Sequence, residues 1–226
     1  RQRKRKKKLG YGTAGVVGAV FLGFLAMQLF QGGGSYRFSE AQLNNQPMLG
    51  SENASVTIVE FYDYKCPYCR QFETGERSGP NQPANPGVFE KLKKNYISTG
   101  KVKFYAVNRP LHDGAGRMAE AAECVYNQDR EAFWEYNYAI FADRFTGGDS
   151  TDYLVNLARN RTEGLNYSKM RSCIESGAES DEVQRDLRIA RATPGPTVTP
   201  KVFVNGKYVR DWSYRNLEKV IESELK

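Results

Sequence analysis

VTIVEFYDYKCPYCRQF, residues 56–72, is the stretch that decides the fold. Val56 to Phe61 mixes β-branched and aromatic residues in a short apolar run, the pattern of a buried strand. The run ends at YDYKCPYC, and Arg70 to Glu73 can continue as a helix. Cys66-Pro67-Tyr68-Cys69 therefore stands between a strand and the start of a helix. A cysteine at that place faces backbone N–H groups without helical partners and the positive end of the helix dipole, which favours thiolate over thiol. Its pKa is expected to fall from about 8.5 toward 7 or below. Such a thiol is also a good leaving group in disulfide exchange. Cys66 is read as the sulfur that attacks or is attacked, and Cys69 as the one that resolves.

Half of a zinc site has the same C-x-x-C spacing, but zinc needs two further ligands. The one histidine is His112, and Cys124 and Cys173 lie on separate helical patterns with no paired knuckle. No metal and no cofactor are expected. A purely structural Cys66–Cys69 bridge closes too short a loop to constrain much of the unfolded chain. His112, among the turn residues of NRPLHDGAG, reads as a loop or capping histidine rather than a catalytic base.

Downstream, Thr74 to Gly87 is too rich in Gly, Pro and Asn to be helical and reads as a loop insertion. Val88 to Ser98 resumes a helical pattern, Gly100 closes it, and Val102 to Val107 gives a second strand. From Gly116 to Ala192 apolar residues recur at helical spacing, as in Met118, Ala121, Ala122 and Val125, or Tyr167, Met170 and Ile174. The aromatics between Phe133 and Phe145 read as core packing, given the area such rings bury. Pro194, Gly195 and Pro196 end this block. Lys201 to Val204 and Lys207 to Val209 flank Asn205-Gly206, the favoured pair for a type I′ hairpin turn. A closing helix from Tyr214 to Leu225 presents Leu217, Val220 and Ile221. Strands at both ends with helices between predict one α/β sheet interrupted by a helical insertion over residues 108–195, the whole domain covering 36–226.

The 226 residues carry a net charge of +7, which raises the question of nucleic-acid binding. Seven of the 33 basic residues fall in the first eight positions, and the other 26 are matched by 26 acidic ones. The body is neutral, with no general surplus for a phosphate-binding face, so no nucleic-acid partner is expected. Behind the basic cluster, Leu9 to Phe30 is 22 residues without a charge, about 33 Å as a helix, against a bilayer core of about 30 Å. The stretch is longer than a cleaved signal core and lacks an A-x-A-type site, so residues 1–35 are expected to form a basic cytoplasmic tail, a retained membrane anchor and a QGGGS linker. The domain then lies on the extracytoplasmic side of the cell membrane, where disulfides persist. Cys124 and Cys173 are 49 residues apart on helices that could face each other. A structural bridge is the favoured pairing, with two buried free thiols or a second redox pair as the alternatives.

EFYDYKCPYCRQF, the helical block and TPKVFVNG near the end resemble the DsbA-like thiol-disulfide oxidoreductases of the thioredoxin superfamily, with the likeness running from about Pro47 to Leu225. QPMLGSENASVTIVEF and the LH-x-G segment are similar to a membrane-anchored Gram-positive branch of that family. The resemblance implies a thioredoxin-like sheet with a helical insertion. It implies that Thr199-Pro200 is a cis-proline loop facing the cysteine pair, with Thr199 backbone groups and the Pro67-Tyr68 dipeptide meeting an extended substrate. It also implies that Glu60 is the buried acid beneath the site that helps move the proton of Cys69. On a buried strand its pKa should rise by desolvation.

Tyr68 stands where strongly oxidising members carry a histidine, and it supplies no cation to the Cys66 thiolate. A reduction potential between those of glutaredoxins and DsbA, about −220 to −120 mV, is expected. The activity implied is introduction of disulfides into exported proteins with free thiols, with reoxidation by a quinone-linked membrane oxidase of the DsbB or VKOR type. A reductase or isomerase on the same fold, or a non-enzymatic binding or chaperone module, are the alternative readings.

Overall fold

The computed structural model describes residues 35–75, 87–143 and 148–226. The expected anchor at 9–30, Phe145 and nearly all of the 74–87 insertion lie outside the described residues. Among those described, no helix is long and apolar enough to cross a membrane.

In chain order the elements are α1 (Glu40–Leu43), β1 (Met48–Gly50), β2 (Val56–Tyr62), α2 (Pro67–Thr74), α3 (Val88–Leu92) continuing as a π-helical turn (Lys93–Ile97), and β3 (Val102–Asn108). Five helices follow: α4 (Ala115–Tyr126), α5 (Arg130–Ala142), α6 (Thr151–Arg161), α7 (Tyr167–Ser176) and α8 (Ser180–Ala192). The chain then returns to the sheet with β4 (Lys201–Val204) and β5 (Lys207–Val209) and closes with α9 (Tyr214–Glu224). The helical block therefore falls within residues 108–195, between β3 and β4 of one sheet.

Strand order is β1-β3-β2-β4-β5. β2 sits at the centre, parallel to β3 from Val56↔Val102 to Tyr62↔Asn108 and antiparallel to β4 through Phe61↔Lys201. Both faces of β2 are covered, so it carries an apolar run rather than an alternation. On one face Val56, Ile58 and Tyr62 pack with Phe72, Phe104 and the helices of the insertion. On the other, Val59, Phe61, Val107 and Phe203 meet Ile189 and Ala190 of α8, with Tyr36, Phe38 and Leu43 laid over them. Burying side chains of this size stabilises by about 1.5–3 kcal/mol each.

Local chemistry sets the helix starts. Asp129 accepts from the Glu131 and Ala132 amides before α5, Ser150 from Tyr153 before α6, and Asn166 from Lys169 before α7. The predicted hairpin forms with Val204 opposite Lys207, and Asn205 and Gly206 at φ 45° and 77°, as a type I′ turn requires. Gly206 is needed for a second reason, since a Cβ there would collide with the Tyr36 carbonyl, and the Tyr36 amide donates to the Gly206 carbonyl at 2.7 Å.

Two anchors hold the insertion. Cys124 of α4 and Cys173 of α7 form the expected disulfide, with Cα atoms 6.0 Å apart. Asp186 of α8 is buried and accepts from the Asn108 backbone amide (3.1 Å) and side chain (3.0 Å) and from Gln46 (2.6 Å), while Asn108 also donates to buried Glu123 (2.7 Å). Burial pushes the Asp186 carboxyl up to about 7, against those hydrogen bonds, and also raises Glu123 well above its ordinary value.

Candidate active site

The carboxyl ends of parallel β2 and β3 and the amino end of antiparallel β4 share one edge of the sheet, so the segments 63–69, 109–112 and 197–200 converge there. Cys66 is the N-cap of α2, with an extended backbone, and Pro67 occupies the first helical position, where no amide hydrogen is needed. Gly75 ends the helix at φ 73°, leaving eight residues that bury Cys69, Phe72 and Glu73.

Cys66 and Cys69 are both free thiols and both buried. The Cys66 thiol donates to the Thr199 carbonyl at 3.3 Å, and the Thr199–Pro200 peptide is cis, so the Thr199 backbone lies against Cys66. The Cys66 thiol is lowered to about 6. The largest cause is the hydrogen bond from Cys69, opposed by burial, and the Thr199 side chain and the Cys69 and Tyr68 amides add to the lowering. Helix-end amides thus contribute as the sequence suggested, but the neighbouring thiol leads. Cys69 moves the other way: burial pushes it well above the ordinary thiol value, the Cys66 thiolate reinforces this, and the Asp63 amide, 3.5 Å from its sulfur, opposes it. The two sulfurs are split into a nucleophile ionised at neutral pH and a partner that keeps its proton.

Asp63 ties this turn to the loop after β3. Its buried carboxylate accepts from the Lys65 amide (2.7 Å), the Leu111 amide (2.5 Å) and the His112 amide (2.9 Å). It also holds His112 Nδ1 at 2.8 Å, a bond that raises the half-exposed imidazole above its ordinary pKa. The sequence placed His112 in a loop and missed this pairing, because nothing local links residues 49 positions apart.

Glu60 lies on the same face of β2 as Ile58 and Tyr62 and is fully buried. Neither of its oxygens finds an N–H or O–H donor from another residue type, and neither does Glu73 on α2. The two carboxyls face each other, and a hydrogen bond between them requires at least one proton. Burial and then the Glu73 charge raise Glu60 well above the carboxylate range, while Glu73 is pushed up to about 8, mainly by burial. Glu60 was expected from sequence. Glu73 was not, although it sits four residues after Cys69 and hence on the same helix face, which is the signal that would have found it.

Around the sulfurs, Tyr68, Leu111 and Val198 are large apolar side chains exposed by 43%, 46% and 41%, one from each converging segment. Such a rim suits an extended polypeptide whose apolar groups cover it. Among the described residues no cluster of three or more His, Cys, Asp or Glu side chains is placed to hold a metal ion.

Residues 42–223 match the thioredoxin family. Disulfide bond formation protein D of Bacillus subtilis is 29% identical over 192 residues, covering 83% of this chain and 80% of that one. The crystal structure of oxidised BdbD from Bacillus subtilis superimposes with a TM-score of 0.72 at 28% identity, over 84% of this chain and 97% of that one. DsbA of Chlamydia trachomatis shares the fold, with a TM-score of 0.68 at 24% identity over 79% of this chain and 90% of that one.

Proposed function

From the premise that the chain belongs to the thioredoxin family, as a DsbA-like protein thiol-disulfide oxidoreductase, we propose that it introduces disulfides into exported proteins through Cys66 and Cys69. The observation that carries this reading is the opposite displacement of the two thiols, Cys66 down to about 6 and Cys69 up. A stable Cys66 thiolate favours the reduced pair and so makes its disulfide an oxidant.

In the oxidised protein a substrate thiolate attacks Cys66 Sγ. The Cys66–Cys69 bond breaks, a substrate–Cys66 disulfide forms, and Cys69 leaves with the electron pair. Cys69 then takes a proton, and Glu60, a buried acid whose pKa is raised well above the ordinary value by burial and by Glu73, is the group proposed to supply it. A second substrate thiolate attacks the substrate sulfur of the mixed disulfide, and Cys66 departs as a stabilised thiolate. Two electrons have passed from substrate to protein. The Tyr68, Leu111 and Val198 rim and the Thr199 backbone support docking of the substrate as an extended segment, with Pro67, Tyr68, Thr199 and Pro200 against it.

The uncharged run Leu9 to Phe30 behind seven cations supports retention in the cell membrane with the domain outside the cytoplasm. Reoxidation of the dithiol by a quinone-linked membrane oxidase belongs to the same proposal. Mixing the oxidised chain with a reduced unfolded protein tests it. Disulfides form in the substrate with the wild-type chain and with neither single-serine variant, whereas a substrate supplied as a disulfide is attacked by the Cys66 thiolate of Cys69→Ser and stays as a covalent adduct that Cys66→Ser does not form. Full activity in Cys66→Ser overturns the reading in favour of a non-covalent binding module.

A further inference from the structure

We propose that a basic cavity beside the cysteine pair, lined by Arg109, Arg191 and Lys201, is a subsite for a carboxylate side chain of the bound polypeptide. The inference rests on the oxidoreductase reading above and names a substrate preference for it. The cavity, about 310 Å³, is bounded by Leu111 of the exposed rim and by Thr197, two residues before Thr199. Two residues span at most about 7 Å of chain. A peptide whose cysteine meets Cys66 therefore reaches the cavity within a few residues.

Three features mark a site for an anion. Arg109 is only 3% exposed, and its Nη1 has no hydrogen-bond partner, a costly state for a buried guanidinium. Lys201, 1% exposed, points its ammonium at the end of α8, where the Thr193 hydroxyl (2.9 Å) and carbonyl (3.3 Å) accept from it. Arg191, exposed at the same helix end, adds a third cation, and among the described residues none of the three pairs with an acid.

The Thr193 carbonyl and hydroxyl at the end of α8 account for Lys201, but they leave Arg109 Nη1 unsatisfied. Burial and the neighbouring Arg109 charge lower Lys201 to about 8, and burial and Arg191 lower Arg109, the response of cations crowded without a counterion. A carboxylate entering the cavity answers all of this with charge-assisted hydrogen bonds.

The test uses nonapeptides with a central serine in place of cysteine, carrying Glu or Gln at each of the four positions on either side, titrated calorimetrically into the full chain. At one register the Glu peptide binds about tenfold more tightly than its Gln counterpart. That ratio shrinks with salt and falls to near one in Arg191→Gln, a surface change that spares the fold, and in Lys201→Met. Absence of preference at every register, a preference that survives Arg191→Gln, or binding of inorganic phosphate without any peptide preference overturns the proposal. The same peptides with cysteine restored separate the two readings. Preferential binding without oxidation of any peptide sinks the enzymatic reading, whereas equal oxidation without preference sinks the subsite alone.

Discussion

Titrating the Cys66 thiol tests the chemistry at its source. With a pKa of about 6, ~90% of Cys66 is thiolate at pH 7, against ~3% for a free cysteine of pKa about 8.5. Alkylation rate or ultraviolet thiolate absorbance, followed from pH 3 to 10 on the reduced full chain, should rise through one transition near pH 6. Cys66→Ser should lose it. Cys69 stays silent over most of this range because burial holds its proton. The structure also ranks the causes, with the Cys69 hydrogen bond first. Cys69→Ala should therefore move the midpoint upward, and Cys69→Ser, which keeps a donor, should move it less. A wild-type midpoint near 8.5, or a Cys69→Ala midpoint identical to wild type, would refute the reasoning.

Further outcomes follow from the surrounding groups. The Cys124–Cys173 bridge spans 49 residues, and its loop-closure entropy is worth about 4 kcal/mol. Cys124→Ser/Cys173→Ser should therefore melt about 8–16 °C lower by calorimetry while keeping the Cys66 titration; an unchanged melting temperature contradicts the anchoring role. Glu60→Gln keeps the volume and removes the proton, so single-turnover formation and resolution of the mixed disulfide should slow by about tenfold or more, with the Cys66 midpoint unmoved. A wild-type rate in that variant removes Glu60 from the mechanism. Asp186, raised from 3.8 to about 7, and Glu73, raised from 4.5 to about 8, contribute stability that is full below their unfolded pKa values and is lost as pH rises through the folded ones. Urea unfolding of the oxidised protein should show stability declining between pH ~4 and ~8, by on the order of a few kcal/mol, with a shallower slope in Asp186→Asn. In the reduced protein Cys66 works oppositely, adding stability between about pH 6 and 9. Stability that instead rises across this range in the oxidised protein is incompatible with the buried acids described.

What could be read in advance was what short segments encode by themselves. VTIVEF is apolar throughout because β2 is covered on both faces, and Asn205-Gly206 tolerates the positive φ that its turn demands. The C-x-x-C spacing puts one sulfur at the N-cap and the other one turn on, and helical periodicity brought Cys124 and Cys173 to facing positions. β1 escaped notice because three residues, MLG, carry no period and are held by pairing with β3 more than fifty residues away. The cover supplied by Tyr36, Phe38 and Leu43 escaped for a similar reason: their burial depends on the far face of the sheet. Asp63–His112, Glu60–Glu73 and the Arg109, Arg191 and Lys201 cavity are all made by the sheet edge where three strands end together. No local pattern marks them, since their partners meet only after the register is fixed.

The oxidising character of the Cys66–Cys69 pair is tested most directly by equilibrating the full chain with glutathione buffers and measuring the fraction oxidised. A thiolate held by Cys69, Thr199 and two amides, without a histidine between the cysteines, predicts a potential between about −220 and −120 mV. A value at or below about −270 mV, where thioredoxin works as a reductant, would contradict it.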